Sequence, residues 1–330
     1  MGRIDEQNLL QKIKHTNDSI GVFQFLQQGK IIFVKCTDNL RKSIMIYSDT
    51  QHENSMIAEL ANQIDDIITQ QYPLQIEAFI NELFLIKKFN PEYNKRIKPW
   101  YNYSYLGIDL EQPPYFHITN DTIQDLYYIG PFRSSFILTD ILDVFAELFK
   151  LPRCEHDYPC ERINLQQCLG FCHNKLGEAL PELINRLLMV PNRELLNKLK
   201  EQQKLLFQEL KFNEGELLGR QISLISRYYK NLIFSYISPY INGEFPLRNE
   251  TIVIDQGMIK EIISENDYLE IKNDLHIKKK NQEILAFDKS EYDHRWIVFN
   301  YFFHTDSQLI EHLFKENVVN IQKKLFLKSE

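Results

Sequence analysis

Apolar and polar positions along the first hundred residues predict a β-hairpin followed by helices. Two apolar runs, Gly21–Leu26 and Ile31–Lys35, flank a glycine-containing turn at Gln27–Gly29, which is typical of a hairpin. Asp38 is predicted to cap a helix over Leu40–Tyr47, because an aspartate before an apolar-periodic run is a common helix start.

A second helix is predicted around Glu82. Apolar residues recur there at the three-to-four spacing of a buried helix face, at Ile76, Phe79, Ile80, Leu83 and Ile86. Pro91 ends this helix because it lacks an N–H group and disfavours helix at the residue before it. Glu82 interrupts the apolar stripe, and a buried carboxylate needs a cation. The pattern leaves open whether that cation is a lysine or arginine side chain or a metal ion.

The second half of the chain is predicted to begin with a helical hairpin and to continue as a mixed segment. Apolar stripes between Pro191 and about Arg227 indicate two antiparallel helices with a turn near Asn213. Beyond Pro239 the expected elements are a strand hairpin turning at Gln256–Gly257, a strand at Glu283–Phe287, and helices at Tyr292–Phe303 and Ser307–Phe314. Asp293, His294 and Arg295 carry ligand-type groups, but Trp296 and Val298 favour an ordinary amphipathic helix.

Composition indicates a packed protein of several small domains. The 330 residues are 44% hydrophobic and 12% aromatic, and no apolar run reaches the ~18–20 residues of a membrane span. The N-terminus has no apolar signal core, so a cytoplasmic, reducing location is predicted. The net charge of −7 argues against nonspecific coating of nucleic acid but leaves room for a local basic site.

Four of the five cysteines lie close together with the spacing C-x5-C-x7-C-x3-C. They are Cys154, Cys160, Cys168 and Cys172. In a reducing compartment this density predicts a metal or cluster site rather than two disulfides. Four thiolates suit tetrahedral zinc or a [4Fe–4S] cluster, and four reduced, metal-free cysteines are the remaining alternative. Cys36 stands apart and is expected to be a small core residue.

Basic residues follow Glu82, with aromatic residues directly after them. The basic residues are Lys87, Lys88, Lys95, Arg96 and Lys98, and the aromatic ones are Trp100, Tyr101 and Tyr103. This mixture suits a DNA backbone with exposed bases. An ordinary solvated face is the alternative.

Several of these motifs resemble the UvrC/Cho family, the incision proteins of bacterial nucleotide excision repair. The stretch from Glu82 through Lys87-Lys88 and Pro91 to Asn94 resembles the metal-binding helix of that family's nuclease domain. The predicted order of hairpin, helix and Glu82 helix is similar to the GIY-YIG nuclease fold over residues 19 to 98. The resemblance implies that Glu82 holds Mg²⁺ or Mn²⁺ and that Asn94 helps to order the site.

The resemblance extends beyond the first domain. Arg153 and Leu169–Phe171 around the cysteines are similar to a UvrC motif whose four thiolates hold an iron–sulfur cluster. The helical hairpin resembles, more weakly, the UVR motif through which UvrC contacts UvrB. The overall layout is closer to UvrC-like regions fused to proofreading-type exonucleases. A UvrB-like helicase or an exonuclease subunit is therefore the implied protein partner, and DNA the implied ligand.

The chain departs from the family pattern where the catalytic groups are expected. Phe23 and Phe33 occupy the positions of two tyrosines, and Ser43 occupies that of the catalytic arginine, while a helix tyrosine is kept as Tyr47. Arg41 is two residues from Ser43, about 200° around the helix, so it is a poor substitute. Loss of a general base costs ~10²–10⁴ in rate and loss of one charge-stabilising donor roughly 10²–10³. The candidate catalytic set is thus Glu82, Tyr47 and Asn94 in a degenerate site.

The sequence predicts an α+β multidomain protein. The expected segments are a GIY-YIG-like domain at 1–100, a connector at 101–150, a four-cysteine linker at 151–176, a helical hairpin at 177–235 and a small α+β domain at 236–330. Tyr127–Gly130 looks like half of the nuclease signature, but its position beyond the Glu82 helix argues against a catalytic strand. The predicted function is binding of damaged or structured DNA in repair with a weak or inactive endonuclease site. The alternatives are an active single-metal endonuclease and a protein–protein adaptor.

Overall fold

Three β-sheets and a set of packed helices make up the mixed α/β fold of the described residues. The computed structural model describes residues 11–110, 112–123, 125–154, 161–170, 179–248, 250–264, 268–270 and 285–315. The first sheet is antiparallel, with strand order β2-β1-β3. Its strands are β1 (Gly21–Gln27), β2 (Lys30–Thr37) and β3 (Asp66–Gln71). The predicted hairpin is therefore confirmed, and β2 is an edge strand. Phe25 pairs with Phe33 across the hairpin, and Phe23 pairs with Lys35.

Four helices surround this sheet. They are α1 (Leu40–Tyr47), α2 (Ser55–Ala61), α3 (Gln75–Phe89) and α4 (Glu92–Arg96). The predicted Glu82 helix is confirmed as α3. It ends at Asn90, which has a left-handed backbone with φ 46°, and Pro91 then precedes α4. The predicted cap of α1 was wrong by one residue. Asn39 has the extended cap conformation, and its side chain accepts a hydrogen bond from the backbone N–H of Lys42.

The second sheet follows α4. Its strands are β4 (Ser104–Ile108), β5 (Phe116–Thr119) and β6 (Tyr127–Phe132), and α5 (Ser135–Phe149) covers them. The Tyr127–Gly130 stretch thus belongs to β6, in a different sheet from the hairpin, as predicted from its position.

Helices dominate the middle of the chain. They are α6 (Glu161–Asn164), α7 (Ala179–Ile184) with a following π-turn (Asn185–Met189), α8 (Arg193–Gln208) and α9 (Phe212–Ile237). The predicted helical hairpin is confirmed as α8 and α9, although its turn lies at Leu210, where φ is 61°, rather than near Asn213. The predicted end of the second helix near Arg227 was wrong. The last turns of α9 are apolar and buried on nearly every side, so they lack the one-sided pattern that marks an amphipathic helix.

A third sheet and two helices complete the described chain. Its strands β7 (Gly243–Leu247), β8 (Glu250–Asp255), β9 (Met258–Ser264) and β10 (Tyr268–Glu270) are joined in the order β10-β9-β8-β7. The predicted turn at Gln256–Gly257 is confirmed. The later strand, β11 (Leu285–Ala286), pairs in parallel with β6 and so extends the second sheet. The prediction Glu283–Phe287 was too long at its C-terminal end, and Glu283 and Ile284 lie outside the described residues. The helix α10 (Tyr292–Thr305) and helical residues 307–315 follow.

The C-terminal helix α10 packs against α3. The His294 ring meets the Phe79 ring edge-on, with centroids 4.7 Å apart, and the His294 Nε2 atom accepts a hydrogen bond of 2.8 Å from the backbone N–H of Ile259 in β9. The helix that carries Glu82 is therefore held from the C-terminal part of the chain. Within the described residues, no helix combines the length and the apolar character needed to cross a bilayer.

Candidate functional site

Glu82 lies buried on α3, facing the edge of the first sheet. The residue is only 5% exposed. Its Oε1 atom lies 4.0 Å from the Nζ atom of Lys35 on β2. Its Oε2 atom accepts no hydrogen bond from the described part of the chain. The first of the two options for Glu82, an ion pair with a basic side chain, is thus present in the structure.

Lys35 and Cys36 are consecutive residues of the edge strand, and the charge of the Glu82 carboxylate raises the pKa of both side chains. Burial is the largest single influence and acts to lower the pKa of the Lys35 ammonium, but the nearby charges, led by Glu82, together outweigh it, so the pKa lies above its ordinary value. Burial, together with the charge of Glu82, raises the pKa of the Cys36 thiol well above its usual range. Cys36 is a buried small residue, as predicted, and its thiol stays protonated.

An aromatic cluster fills the position where the family resemblance implied catalytic oxygens. The ring centroid of Phe33 lies 6.1 Å from that of Phe23 and 5.0 Å from that of Tyr47. Phe23 is 0% exposed and Phe33 is 2% exposed, so both are core residues. Burial is the main cause that raises the pKa of Tyr47, and Lys35 and Glu82 are among the charges that act on it. The three aromatic rings form one cluster, and Glu82 acts electrostatically on Tyr47, which keeps a hydroxyl group; the region of Glu82, Lys35 and Tyr47 is here called the cleft.

Neither Ser43 nor Arg41 supplies a guanidinium to this cleft. The Ser43 hydroxyl lies 2.6 Å from the hydroxyl of Thr37, within hydrogen-bond distance. The Arg41 Nε atom donates to the carbonyl of Thr16, and its Nη1 atom lies 3.6 Å from Asp18. Arg41 is thus engaged away from Glu82, as the helical rotation predicts.

Asn94 holds the strand that carries Lys35. Its Oδ1 atom accepts a hydrogen bond of 2.8 Å from the backbone N–H of Val34, and its Nδ2 atom donates one of 2.7 Å to the Val34 carbonyl. The amide thereby pairs with an edge strand as a neighbouring strand would, and it fixes the backbone directly before Lys35.

The predicted basic residues lie at the end of α3 and on α4, and they differ in their surroundings. Lys87, Lys88 and Lys95 are exposed, and Lys98 is half-buried. Arg96 instead makes two short contacts to the Glu59 carboxylate, at 2.8 and 2.6 Å, and a third of 3.3 Å to Glu92. Arg96 is thus paired with carboxylates, while the side chains of Lys87, Lys88 and Lys95 face solvent.

Asp293 on α10 was noted from the sequence only as a ligand-type group on an amphipathic helix, and its charge acts on the groups beside Glu82. Its carboxylate accepts hydrogen bonds from the Tyr103 hydroxyl at 2.8 Å and from the Arg133 Nε atom at 3.0 Å. The same charge contributes to the pKa of Lys35, Cys36 and Tyr47. The prediction of an ordinary amphipathic helix here was incomplete, because the partners of Asp293 lie 160 and 190 residues earlier in the chain.

Half of the predicted cysteine site lies in the described chain. Cys154 is half-buried, and Cys168 is buried, with its sulfur 3.4 Å from the backbone nitrogen of Gly170. Cys160 and Cys172 lie outside the described residues. Within the described ranges, no group of three or more His, Cys, Asp or Glu side chains is arranged to hold a metal ion. The four-cysteine site stays a prediction.

The residues around Glu82 do not fit a divalent cation in this arrangement. Mg²⁺ requires near-octahedral oxygen ligation, usually from one or two carboxylates with water. Within the described residues, Glu82 belongs to no group of three or more metal-ligand side chains, and the Lys35 ammonium already lies beside its carboxylate. Two like unit charges about 4 Å apart repel by roughly 4 kcal/mol near a protein surface, and a divalent ion doubles this. Only the unpartnered Oε2 atom favours a further ligand.

The sequence profile of a UvrC-like GIY-YIG domain matches residues 19–95. Curated relatives named UvrABC system protein C match a longer stretch. That of Latilactobacillus sakei is 30% identical over 204 residues, which is 60% of this chain and 34% of that protein. That of Christiangramia forsetii is 25% identical over 249 residues, 70% of this chain and 41% of that protein. The chain thus spans about a third to two fifths of the length of these relatives.

Solved structures of one UvrC domain also match. The GIY-YIG N-terminal endonuclease domain of UvrC from Thermotoga maritima, bound to magnesium as its catalytic divalent cation, is 28% identical. The match covers 28% of this chain and 99% of that domain, with a TM-score of 0.25. A tyrosine-to-phenylalanine mutant of that domain, bound to the catalytic divalent cation, matches at 29% identity with a TM-score of 0.25, covering 28% of this chain and 98% of that domain.

Proposed function

We propose that this UvrC-like chain, with its GIY-YIG domain at residues 19–95, binds damaged or structured DNA in nucleotide excision repair and cuts it weakly or not at all. The observation that carries the proposal is the aromatic cluster. Phe23 and Phe33 are fully packed rings at the positions where the family resemblance implies phenolic oxygens. A phenyl ring without an oxygen can neither accept a proton nor orient water. The substitution of phenylalanine for tyrosine therefore removes the catalytic group itself and does not merely slow it.

The missing positive charge points the same way. Ser43 stands where the resemblance implies a phosphate-clamping arginine, and its hydroxyl is occupied with Thr37. Loss of a single charge-stabilising donor lowers a rate by roughly 10²–10³. Combined losses are not additive, but either one leaves a slow enzyme.

The lysine-bearing face at the end of α3 and on α4 supplies the proposed DNA contact. Lys87, Lys88, Lys95 and Lys98 can approach a phosphate backbone, and Arg96 supports the face through its pair with Glu59. The rings of Trp100 and Tyr101 follow, with centroids 4.6 Å apart. Tyr101 is exposed and Trp100 is half-buried, and an exposed aromatic ring next to lysines suits an unstacked base beside a charged backbone.

The test is salt-dependent DNA binding measured together with cleavage. Fluorescence anisotropy on a lesion-bearing duplex is expected to show an affinity that falls steeply with salt. The same duplex, incubated with Mn²⁺ and the protein, is expected to stay intact. Neutralising Lys88 and Lys95 together should reduce the salt slope by roughly 2. Absence of binding at low salt would refute the proposal.

An active endonuclease with a single metal ion is the second candidate. The buried Oε2 atom of Glu82, which accepts no hydrogen bond from the described chain, favours it. This candidate requires Mg²⁺ or Mn²⁺ at Glu82 and a role for Tyr47 in activating water. Nicking that appears with Mn²⁺ and disappears in Glu82→Ala would establish it in place of the first.

A protein–protein adaptor is the third candidate, and the tip of the α8–α9 hairpin favours it. Leu205, Leu210, Phe212 and Leu217 are all exposed there. Large apolar residues grouped at the end of a helical hairpin suit a contact with another protein. A UvrB-like helicase or an exonuclease subunit is the proposed partner. Retained partner binding with no DNA binding would distinguish this role from the first.

The four cysteines are proposed to hold a [4Fe–4S] cluster, with Zn²⁺ as the alternative. Cys154 and Cys168 would contribute together with Cys160 and Cys172. After expression in the cytoplasm of a host cell and anaerobic purification, the protein is expected to be brown and to absorb visible light. Metal analysis that finds zinc alone would replace iron by zinc at this site. The five segments with boundaries at 100, 150, 176 and 235 remain the proposed division of the chain.

A further inference from the structure

Lys35 occupies an unusual place for a lysine, because its side chain points to a buried carboxylate from an edge strand. The side chain is 27% exposed, whereas that of Glu82 is 7% exposed. The Asn94 amide fixes the neighbouring Val34 backbone through two hydrogen bonds. The position of the ammonium therefore follows from the strand and from α3 together.

The contact between Lys35 and Glu82 leaves the ammonium able to bind something else. A separation of 4.0 Å is an ion pair without a close hydrogen bond. An ammonium has three donors, and a partly exposed one can turn some of them to a ligand in the cleft. The Tyr47 hydroxyl lies near enough to be influenced by both charges, and it adds a further donor.

The other charges at this cleft are already neutralised. Asp293 is covered by Arg133, with an Nη2–Oδ1 distance of 2.7 Å, and by the Tyr103 hydroxyl. The Asp293 carboxylate therefore repels an incoming anion less than an unpaired carboxylate would. Among the described residues, the Lys35 ammonium and the Tyr47 hydroxyl are the donors that this inference uses for an oxyanion. The four lysines of the lysine-bearing face lie along the following helix ends.

We infer that Lys35 replaces the metal ion beside Glu82 and binds a DNA phosphate directly, so that this cleft holds a phosphodiester without a divalent cation. This inference rests on the proposed DNA binding, and it names Lys35 as a residue that contacts the DNA phosphate. Glu82 has a positioning role in it, because the carboxylate holds the ammonium and does not touch the phosphate. A compact ammonium is a common phosphate-binding group in proteins.

The metal arm of the test uses Mn²⁺ alone as the probe. Electron paramagnetic resonance of the free ion measures how much Mn²⁺ the protein binds. The wild-type chain is expected to bind no Mn²⁺ that depends on Glu82. Lys35→Ala removes the competing charge and is expected to bind one Mn²⁺ with an affinity at least 10-fold above any residual Mn²⁺ binding of the wild type, since a divalent ion is repelled by the ammonium. Lys35→Ala combined with Glu82→Gln is expected to lose that ion again.

The DNA arm measures anisotropy against salt, with and without EDTA. Wild-type affinity is expected to be unchanged by EDTA. Lys35→Ala should reduce the slope of log affinity against log salt by about 1, the value for one phosphate contact, and Lys35→Arg should restore it. Lys30→Ala is the matched control, because it removes the same charge from the exposed start of the same strand. This control is expected to gain no Mn²⁺ site.

The outcomes separate the two proposals. No DNA binding by the wild type would end the proposed function. DNA binding that needs Mn²⁺, or a Glu82-dependent Mn²⁺ site in the wild type, would overturn the Lys35 inference and leave DNA binding in place. An unchanged salt slope in folded Lys35→Ala, with folding checked by circular dichroism, would also overturn it. Lys35→Met provides a second variant that keeps the length of the side chain if the alanine variant does not fold.

Discussion

Protonation of His294 is expected to loosen the helix that carries Asp293 to the cleft. The His294 Nε2 atom accepts the backbone N–H of Ile259, so this nitrogen has no proton in the folded state. Burial, together with the positive charges of Arg295 and Lys260, lowers the pKa of His294 to about 3. The folded protein therefore resists a proton that the unfolded chain accepts readily.

The sign and size of the effect follow from this difference in proton affinity. The folded pKa is depressed, so the stabilising contribution is complete above the ordinary value of about 6.5 and is lost as the pH falls toward 3. Between pH 7 and pH 5 the free energy of unfolding should fall by about 2 kcal/mol from this group, at 1.36 kcal/mol for each pH unit below 6.5.

The assay follows urea unfolding at the two pH values through the fluorescence of Trp296 on α10. The protein has two tryptophans, so a Trp100→Phe background makes Trp296 the sole reporter. His294→Gln keeps a side-chain oxygen that can accept a hydrogen bond but cannot titrate, and its pH dependence should be smaller by about 2 kcal/mol. His304→Gln, at an exposed site on the same helix, is the control and should retain the wild-type dependence.

A local measurement checks the same cause. Hydrogen exchange of the Ile259 amide, corrected for the intrinsic effect of pH, should be faster at pH 5 than at pH 7 in the wild type. The reasoning would be refuted if His294→Gln and wild type lost equal stability on acidification. It would also be refuted if the Ile259 amide kept the same protection at both pH values.

Three further substitutions test other parts of the fold. Asn94→Ala should cost about 1–2 kcal/mol, because two hydrogen bonds to the edge strand are lost, and urea unfolding measures it. Gly257→Ala should cost at least about 1 kcal/mol, since its φ is +73° and a Cβ atom would lie 2.2 Å from a backbone carbonyl oxygen; a lower melting temperature is the readout. Asp293→Asn should cost about 1–3 kcal/mol, because the Arg133 guanidinium loses its charged partner, and Arg133→Gln in the same background should cost less than it does alone. An unchanged stability in any of the three would contradict the contact assigned to it.

The elements that sequence patterns predicted are those whose signals are local. The hairpin β1–β2 and the helix α3 each have a complete period and a clear turn or stop, with Gly29 in one and Pro91 in the other. The cap of α1 was misplaced by a single residue, because Asp38 and Asn39 are both good caps and only the backbone angles select between them.

The cleft could be predicted only in part, because its charges come from distant elements. The burial of Glu82 follows from the stripe on its own helix, whereas the cation beside it is set by how α3 crosses the edge strand. The pairing of Asp293 with Tyr103 joins residues 190 positions apart, and a single sequence carries no signal for such a pair. Likewise, the last turns of α9 are buried on nearly every side and so have no polar face to mark their period.

The packing of α10 on α3 limits which segments of this chain can be exchanged in evolution. Phe79 is only 8% exposed, and the ring that meets it belongs to the C-terminal region. A fragment that ends near residue 100 would lack His294 and expose the Phe79 ring to water. Exposure of one large apolar side chain lowers the free energy of unfolding by about 1.5–3 kcal/mol. The stretch that matches the GIY-YIG profile, residues 19–95, therefore buries part of its surface against the C-terminal region. Exchange of its last hundred residues in evolution would require a newly matched surface on the helix that carries Glu82.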